Sequence, residues 1–309
     1  MPPTDDFASS QDLVILEGPV WVNGVLYLSQ INSGPPFFGF PGGFPGQPGA
    51  TDTTDTTTAP QEPPAPPPSR VLALHGDGRV SILAPEGGSN GLAVDASGRV
   101  LTANHLVGGI TELSLNGGSQ TTLVNQYAGV RFNSPNDITV GRDGTIYFTD
   151  PDYQAPVPAP QSETRAYRLP PGATEALPIV EGRRQPNGIT LSPTGETLYI
   201  SAQDGILAYP VQSDGSLGQG QPFAQGVVST SDGMAVDCAG NLYTTNNQSV
   251  TIVNPQGVEV GRINVSNVQS VTNVAFGGDD SKTIFITSLG TSGRAGLYQV
   301  KAEIPGMPY

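Results

Sequence analysis

The chain has little of several things. It carries one cysteine, Cys238, so no disulfide can form within it, and that count leaves the compartment open. No run of about 18 apolar residues occurs, which excludes a helical membrane span. No stretch of useful length repeats apolar residues at the spacing of an amphipathic helix. Basic residues are scarce: 13 Lys and Arg stand against 27 Asp and Glu, a formal net charge of −14, and Lys282 and Lys301 are the two lysines. A surface of that sign repels phosphate backbones and anionic lipid, so neither nucleic acid nor membrane is an expected partner. The N-terminus, Met1-Pro-Pro-Thr-Asp-Asp6, has no apolar signal segment. Low lysine and a Thr/Pro-rich stretch point to an exported protein, periplasmic or extracellular, with its signal removed, rather than to a cytoplasmic one. A monomer acting on a small molecule is the expected assembly.

What the chain does have is glycine, proline and a repeat. The phrase Asn187-Gly-Ile-Thr-Leu-Ser-Pro-Thr-Gly-Glu-Thr-Leu-Tyr-Ile-Ser201 recurs with different spelling at Asn90 to His105, Asn136 to Pro151, Asp232 to Asn247 and Asn273 to Ser288, and in shortened form at Glu17 to Gln30. Four copies place a glycine eight residues after the opening residue: Gly98, Gly144, Gly195 and Gly240. Apolar and polar residues alternate on either side, so each copy reads as strand, turn, strand. From Asn90 onward the copies start 46, 51, 45 and 41 residues apart, close to the roughly 40–45 residues of a four-stranded propeller blade.

The intervening segments supply outer strands: Arg70–Leu74 with Val80–Leu83, Ile110–Leu113 with Gln120–Val124, and Val250–Val253 with Glu259–Ile263. The fold class expected is therefore all-β, a six-bladed β-propeller of four-stranded antiparallel blades in one domain, 1–309. After the sixth hairpin only Gly296–Val300 remains, so Asp12–Leu16 is expected to complete the last blade and close the ring without a free edge. Residues 33–69 are an insertion in blade one, carrying Phe37, Phe38 and Phe40, then a Thr/Asp run and a Pro-rich run with little to bury.

A hairpin returns its ends to one edge of a sheet, so the opening residues Glu17, Asn90, Asn136, Asn187, Asp232 and Asn273 are expected to converge on one face of the channel. Two carboxylates with amide oxygens make a hard-oxygen site of charge −2, suited to Ca²⁺ and tolerant of Mg²⁺, Mn²⁺ or Zn²⁺. An Asn or Asp before a strand ordinarily caps a turn. In this set no position shows Ser or Thr, which would serve a turn as well.

At these residues the chain resembles the senescence marker protein and gluconolactonase family of six-bladed calcium-dependent propellers. The phrases that carry the likeness are Glu17-Gly-Pro-Val-Trp21, Arg131-Phe-Asn-Ser-Pro-Asn-Asp137, Phe148-Thr-Asp-Pro151, Pro186-Asn-Gly188, Ser231-Asp-Gly-Met-Ala235 and Thr272-Asn-Val-Ala-Phe-Gly277. The resemblance implies that Glu17, Asn187 and Asp232 hold the metal, with Asn136 beside it as ligand or substrate contact. It also implies lactone hydrolysis, in which the cation polarises the carbonyl while Asp232 orients or deprotonates water. Serine in place of the family's proline before Asp232, and the 33–69 insertion, depart from the pattern.

His105 falls on the same face and has the pKa range of an acid or base near neutrality. Asn90 joins Asn136 as a substrate contact. Phe37, Phe38 and Tyr153, from two connections on one face, are expected to wall or cover the pocket as a lid. Asp150 reads as a turn residue before Pro151 that could also support the site from behind, and Trp21 and Cys238 read as packing residues. Two other functions compete with a lactonase: a propeller esterase or phosphotriesterase, and a non-catalytic extracytoplasmic binding propeller that keeps its metal for stability.

Overall fold

Alternation of apolar and polar residues around a glycine turn dictates an antiparallel hairpin, and hairpins form the inner half of every sheet. The computed structural model describes residues 13–33, 69–182, 185–228, 231–291 and 295–307. Among these there is no helix, and so none long and apolar enough to cross a membrane.

Four sheets are four-stranded, each running in chain order. They comprise Ser89–Val94, Val100–Asn104, Gly109–Leu113 and Gln120–Val124; Ile138–Val140, Ile146–Asp150, Arg165–Leu169 and Leu177–Val180; Ile189–Leu191, Thr197–Ala202, Gly205–Pro210 and Gln221–Phe223; and Met234–Val236, Leu242–Asn246, Ser249–Val253 and Glu259–Asn264. A two-stranded ribbon, Gln126–Tyr127 with Val130–Arg131, lies between the first two. The three outer pairs named from sequence are all present.

The remaining strands depart from six separate blades. Leu13–Val22, Val25–Ser33, Ser69–His75 and Val80–Ala84 form one seven-stranded sheet with Ser270–Gly277, Thr283–Thr291 and Leu297–Lys301. The N-terminal strand does pair with the C-terminal strands, but not where the count of missing strands put it. Leu13–Ile15 pairs with Leu289–Thr291, on the edge that Thr283–Thr287 offers to Leu297–Lys301. The strand Thr283–Thr291 is long enough to hold both partners end to end, so the strand from Leu13 need not lie outside Leu297–Lys301. From Glu17 the same strand turns into the first hairpin with Val25–Ser33.

The apolar core lies between successive sheets. Leu101, Ala103 and Ile110 of one sheet pack with Ile138, Phe148 and Tyr167 of the next and with Phe132 just before it, and Val20, Val71 and Ala73 pack with Leu92, Val94 and Val100. Each fully buried large side chain contributes about 1.5–3 kcal/mol. Neighbour-to-neighbour burial is what a unit unable to cover its own apolar face requires.

Candidate metal and active site

All six opening residues sit at a break or just before the start of a regular ladder, Glu17 and Asn273 as the last paired residues, with Ser29 and Thr287, at the edge of a register shift. The ladder registers break between Glu17 and Val20, between Ser89 and Leu92, and between Val271 and Asn273. The other three inner strands begin only at Ile138, Ile189 and Met234, two residues after Asn136, Asn187 and Asp232. A break in the ladder re-aims a side chain that pleating would otherwise send into a sheet face.

The six phrases are stitched into a ring. Gly91 N donates to Asn136 O at 2.7 Å and Gly233 N to Thr272 O at 2.7 Å. Hydroxyls on the returning strands reach onward: Thr149 Oγ1 to Asn187 O at 2.6 Å, Ser201 Oγ to Asp232 O at 3.1 Å. Thr272 Oγ1 donates to Leu16 O at 2.5 Å, and Asn273 Nδ2 to Glu17 Oε2 at 3.1 Å, which closes the circle from the last phrase to the first. The second letter of the phrase makes this approach possible. A Cβ on Gly188 would collide with the Asp232 carbonyl, and one on Gly233 with the Asn273 amide.

Where four phrases have glycine second, the third has Asp137. Its Oδ1 accepts from Ile138 N at 3.0 Å and its Oδ2 from Ile189 N at 3.1 Å, across to the next phrase. Burial nevertheless pushes the Asp137 carboxyl up to about 7, the two hydrogen bonds only partly opposing it. Burial raises Glu17 well above the usual carboxylate range, and the negative charge of Asp232 adds to it. Asp232 is likewise raised, first by burial and then by Asp137, while the nearby Asn187 amide pulls it partly back. Three carboxylates therefore share one desolvated region. The repeat points to the first residue of each phrase, so it does not single out Asp137, which stands second.

Asn187 supplies a further mark: its Oδ1 is buried and has no hydrogen-bond partner. A buried amide oxygen left bare is costly unless something outside the chain takes it. The donor set of Glu17, Asp232 and that amide oxygen is all hard oxygen and anionic, so it fits a cation such as Ca²⁺. Among the described residues no three His, Cys, Asp or Glu side chains form a closed metal cluster by themselves. Any such site is therefore mixed carboxylate and amide.

The connection after Ile146–Asp150 reaches this ring. Tyr153 lies beside Asn187 and near Asp232, and burial followed by that charge raises its phenol. The next residue, Gln154, is buried, and its Oε1 accepts from Asn90 Nδ2 at 3.5 Å. No sequence signal singled out Gln154, because its position depends on how the loop is tied down.

His105 follows the strand Val100–Asn104 and is fully buried. Its main-chain N donates to Gly88 O at 2.8 Å and its O accepts from Arg131 Nη2 at 2.6 Å. Phe37 and Phe38 lie outside the described residues. Asp150 is not a simple turn residue: fully buried, it accepts from Asn133 N at 3.0 Å and Ser134 N at 2.8 Å and so fixes the approach to Asn136. Cys238 does not pack inside; it is exposed, with Sγ 3.2 Å from Gly306 O. Trp21 stacks on Phe285 at 5.7 Å. Beyond the ring a cavity of about 370 Å³ runs between the inner strands, touching Asp137 and Asn273 and lined deeper by Leu92, Ile189 and Met307.

The family described as SMP-30/Gluconolactonase/LRE-like region matches residues 67–290. A gluconolactonase of Zymomonas mobilis is 31% identical over 221 residues, 66% of this chain and 61% of the relative, so the chain spans about three-fifths of that protein's length. The solved structure of a gluconolactonase from Xanthomonas campestris is 28% identical with a TM-score of 0.71, over 95% of this chain and 86% of that one. A regucalcin from Agrobacterium tumefaciens, described as a calcium-binding protein, shares the fold at 17% identity with a TM-score of 0.69, over 96% and 93% of the two chains. With most of its length matched, the chain belongs to the SMP-30/gluconolactonase/LRE-like family.

Proposed function

We propose that this protein is a divalent-cation-dependent lactonase that opens a lactone ring by water attack at the carbonyl carbon. The observation that carries the reading is the bare, buried Oδ1 of Asn187 among the carboxylates of Glu17, Asp137 and Asp232. Family membership and the names of the Zymomonas and Xanthomonas relatives support the choice of substrate. We read the seven-stranded sheet as the first and last blades fused, which makes the propeller six-bladed, and residues 1–309 as one domain.

Glu17, Asn187 and Asp232 would hold the ion, with Asn136 beside it, and Ca²⁺ is the ion best suited to such oxygens. When bound, the ion polarises the lactone carbonyl and stabilises the charge that develops on its oxygen. Asp232 is our candidate for taking the proton of the attacking water. Asn90, Asn136 and Tyr153 contact the substrate, and His105, buried at the same end, is a candidate for handling the proton afterwards.

The test is hydrolysis of a panel of γ- and δ-lactones, aryl esters and a phosphotriester, followed by pH-stat, with and without chelator. Lactone opening that is abolished by chelation and by Glu17→Gln supports the reading; opening that survives both overturns the metal mechanism. In the same series His105→Gln should alter the pH–rate profile, and an unchanged profile removes His105 from the chemistry.

A further inference from the structure

Asn90, on the strand Ser89–Val94, and Gln154, in the connection after Ile146–Asp150, are both buried polar side chains, at 3% and 7% exposure. Their one recorded side-chain hydrogen bond among the described residues joins them to each other, Asn90 Nδ2 donating to Gln154 Oε1 at 3.5 Å. Each amide has an acceptor oxygen and an NH₂ donor, so this bond uses one half of each. That bond leaves one acceptor, Asn90 Oδ1, and one donor, Gln154 Nε2. A hydroxyl, which both donates and accepts, is the complement of that pair; a methylene leaves both unmatched.

We propose that Gln154 is a specificity residue, paired with Asn90 to select lactones that carry ring hydroxyl groups over unsubstituted lactones. The inference rests on the lactonase reading and names the part of the site that chooses among lactones. A site built to hydrogen-bond a substrate hydroxyl rejects the analogue without it far more strongly than an apolar pocket rejects an added group. The loop does not depend on the Gln154 side chain for its place. Gln154 N donates to Ser134 Oγ at 3.2 Å, Ser134 Oγ donates to Pro151 O at 2.7 Å, and Asp152 and Gln185 bond each other reciprocally. Removing the amide therefore tests recognition rather than loop folding.

The experiment compares the full chain with calcium, as wild type, Gln154→Leu, Asn90→Ala and the double variant, on glucono-δ-lactone and δ-valerolactone. The readout is the ratio of kcat/KM for the hydroxylated over the unsubstituted ring. Either single change should lower that ratio about tenfold, and the double variant no further, as for two groups acting as one. An unchanged ratio, or losses that multiply in the double variant, overturns the pairing. If wild type opens neither lactone, the lactonase reading fails separately, and the pair is read by calorimetry with gluconate and pentanoate. Tighter binding of gluconate that both single variants abolish sustains the proposal; equal binding of the two acids overturns it.

Discussion

The inner strands carry acidic residues at both ends, and the two ends treat them in opposite ways. At the turn end, Asp95 accepts from Ser97 N, Ser97 Oγ, Arg99 N and Arg99 Nε at 2.7–3.0 Å. Burial works against its charge, but the hydrogen bonds from Ser97 and Arg99 outweigh it and hold the carboxyl below its usual value. Asp237, at the equivalent turn three sheets further on from Asp95, accepts from Ala239 N, Asn241 N and Asn241 Nδ2. At the ring end, Glu17 has one amide and one main-chain donor, both at 3.1–3.3 Å, and repels Asp232. The turn end supplies its carboxylates with donors from within the chain. The ring end gathers carboxylates and leaves them short of positive partners, which is the economy of a ligand site rather than of a turn.

The largest expected effect breaks the symmetry of that comparison. Asp232→Asn should lower lactone turnover at least about 100-fold and remove any shift of melting temperature by calcium. Asp95→Asn at the other end should leave the calcium shift intact. Equal effects on calcium response from both substitutions would show that the ends do not differ in function. Next in size is Asp237→Ala, which strips four donors, Ala239 N, Asn241 N, Asn241 Nδ2 and the Tyr243 hydroxyl, of their buried acceptor and should cost about 3 kcal/mol of stability. Chemical denaturation with calcium present measures it, and a loss under about 1 kcal/mol would mean that water replaces the carboxylate.

The turn end was the more legible of the two. A glycine eight residues after each opening residue, between alternating strands, determines a hairpin locally, and Gly98, Gly144, Gly195 and Gly240 all take positive φ in those turns. The repeat singles out all six opening residues, because it compares each position with five others, and the narrower set Glu17, Asn187 and Asp232 is what the family resemblance implies. Asp137 was within reach by the same comparison: it stands where four phrases have the glycine that close packing demands. Gln154 was not, since its place is set by Ser134 and by the Asp152–Gln185 pair, which are distant in sequence and follow no period. The N-terminal strand pairs with the last blade as expected, but not as its fourth strand, for a related reason. Counting strands reveals that one is missing, but not that Thr283–Thr291 is long enough to pair with two partners on one edge.

The smallest effect is the most discriminating, because it separates two carboxyls with the same shift. Asp137 and Asp150 are both raised to about 7 by burial. A carboxyl raised on folding holds its proton more tightly folded than unfolded. Its contribution to stability is thus greatest below the ordinary carboxylate value near 4 and is lost as pH rises towards 7. Chelated protein should accordingly melt at a lower temperature at about pH 8 than at about pH 5. Calcium requires ionised ligands, so its stabilisation should grow over the same interval and offset the part of the loss that belongs to the ring. Asp137 touches the ring and Asp150 braces the loop before it. Asp137→Asn should therefore shrink both the fall without calcium and the rise with it, whereas Asp150→Asn should shrink only the fall. Thermal melts of the two variants at both pH values, with chelator and with calcium, give the answer. If Asp150→Asn alters the calcium response as much as Asp137→Asn does, the ring is not the place where the cation acts.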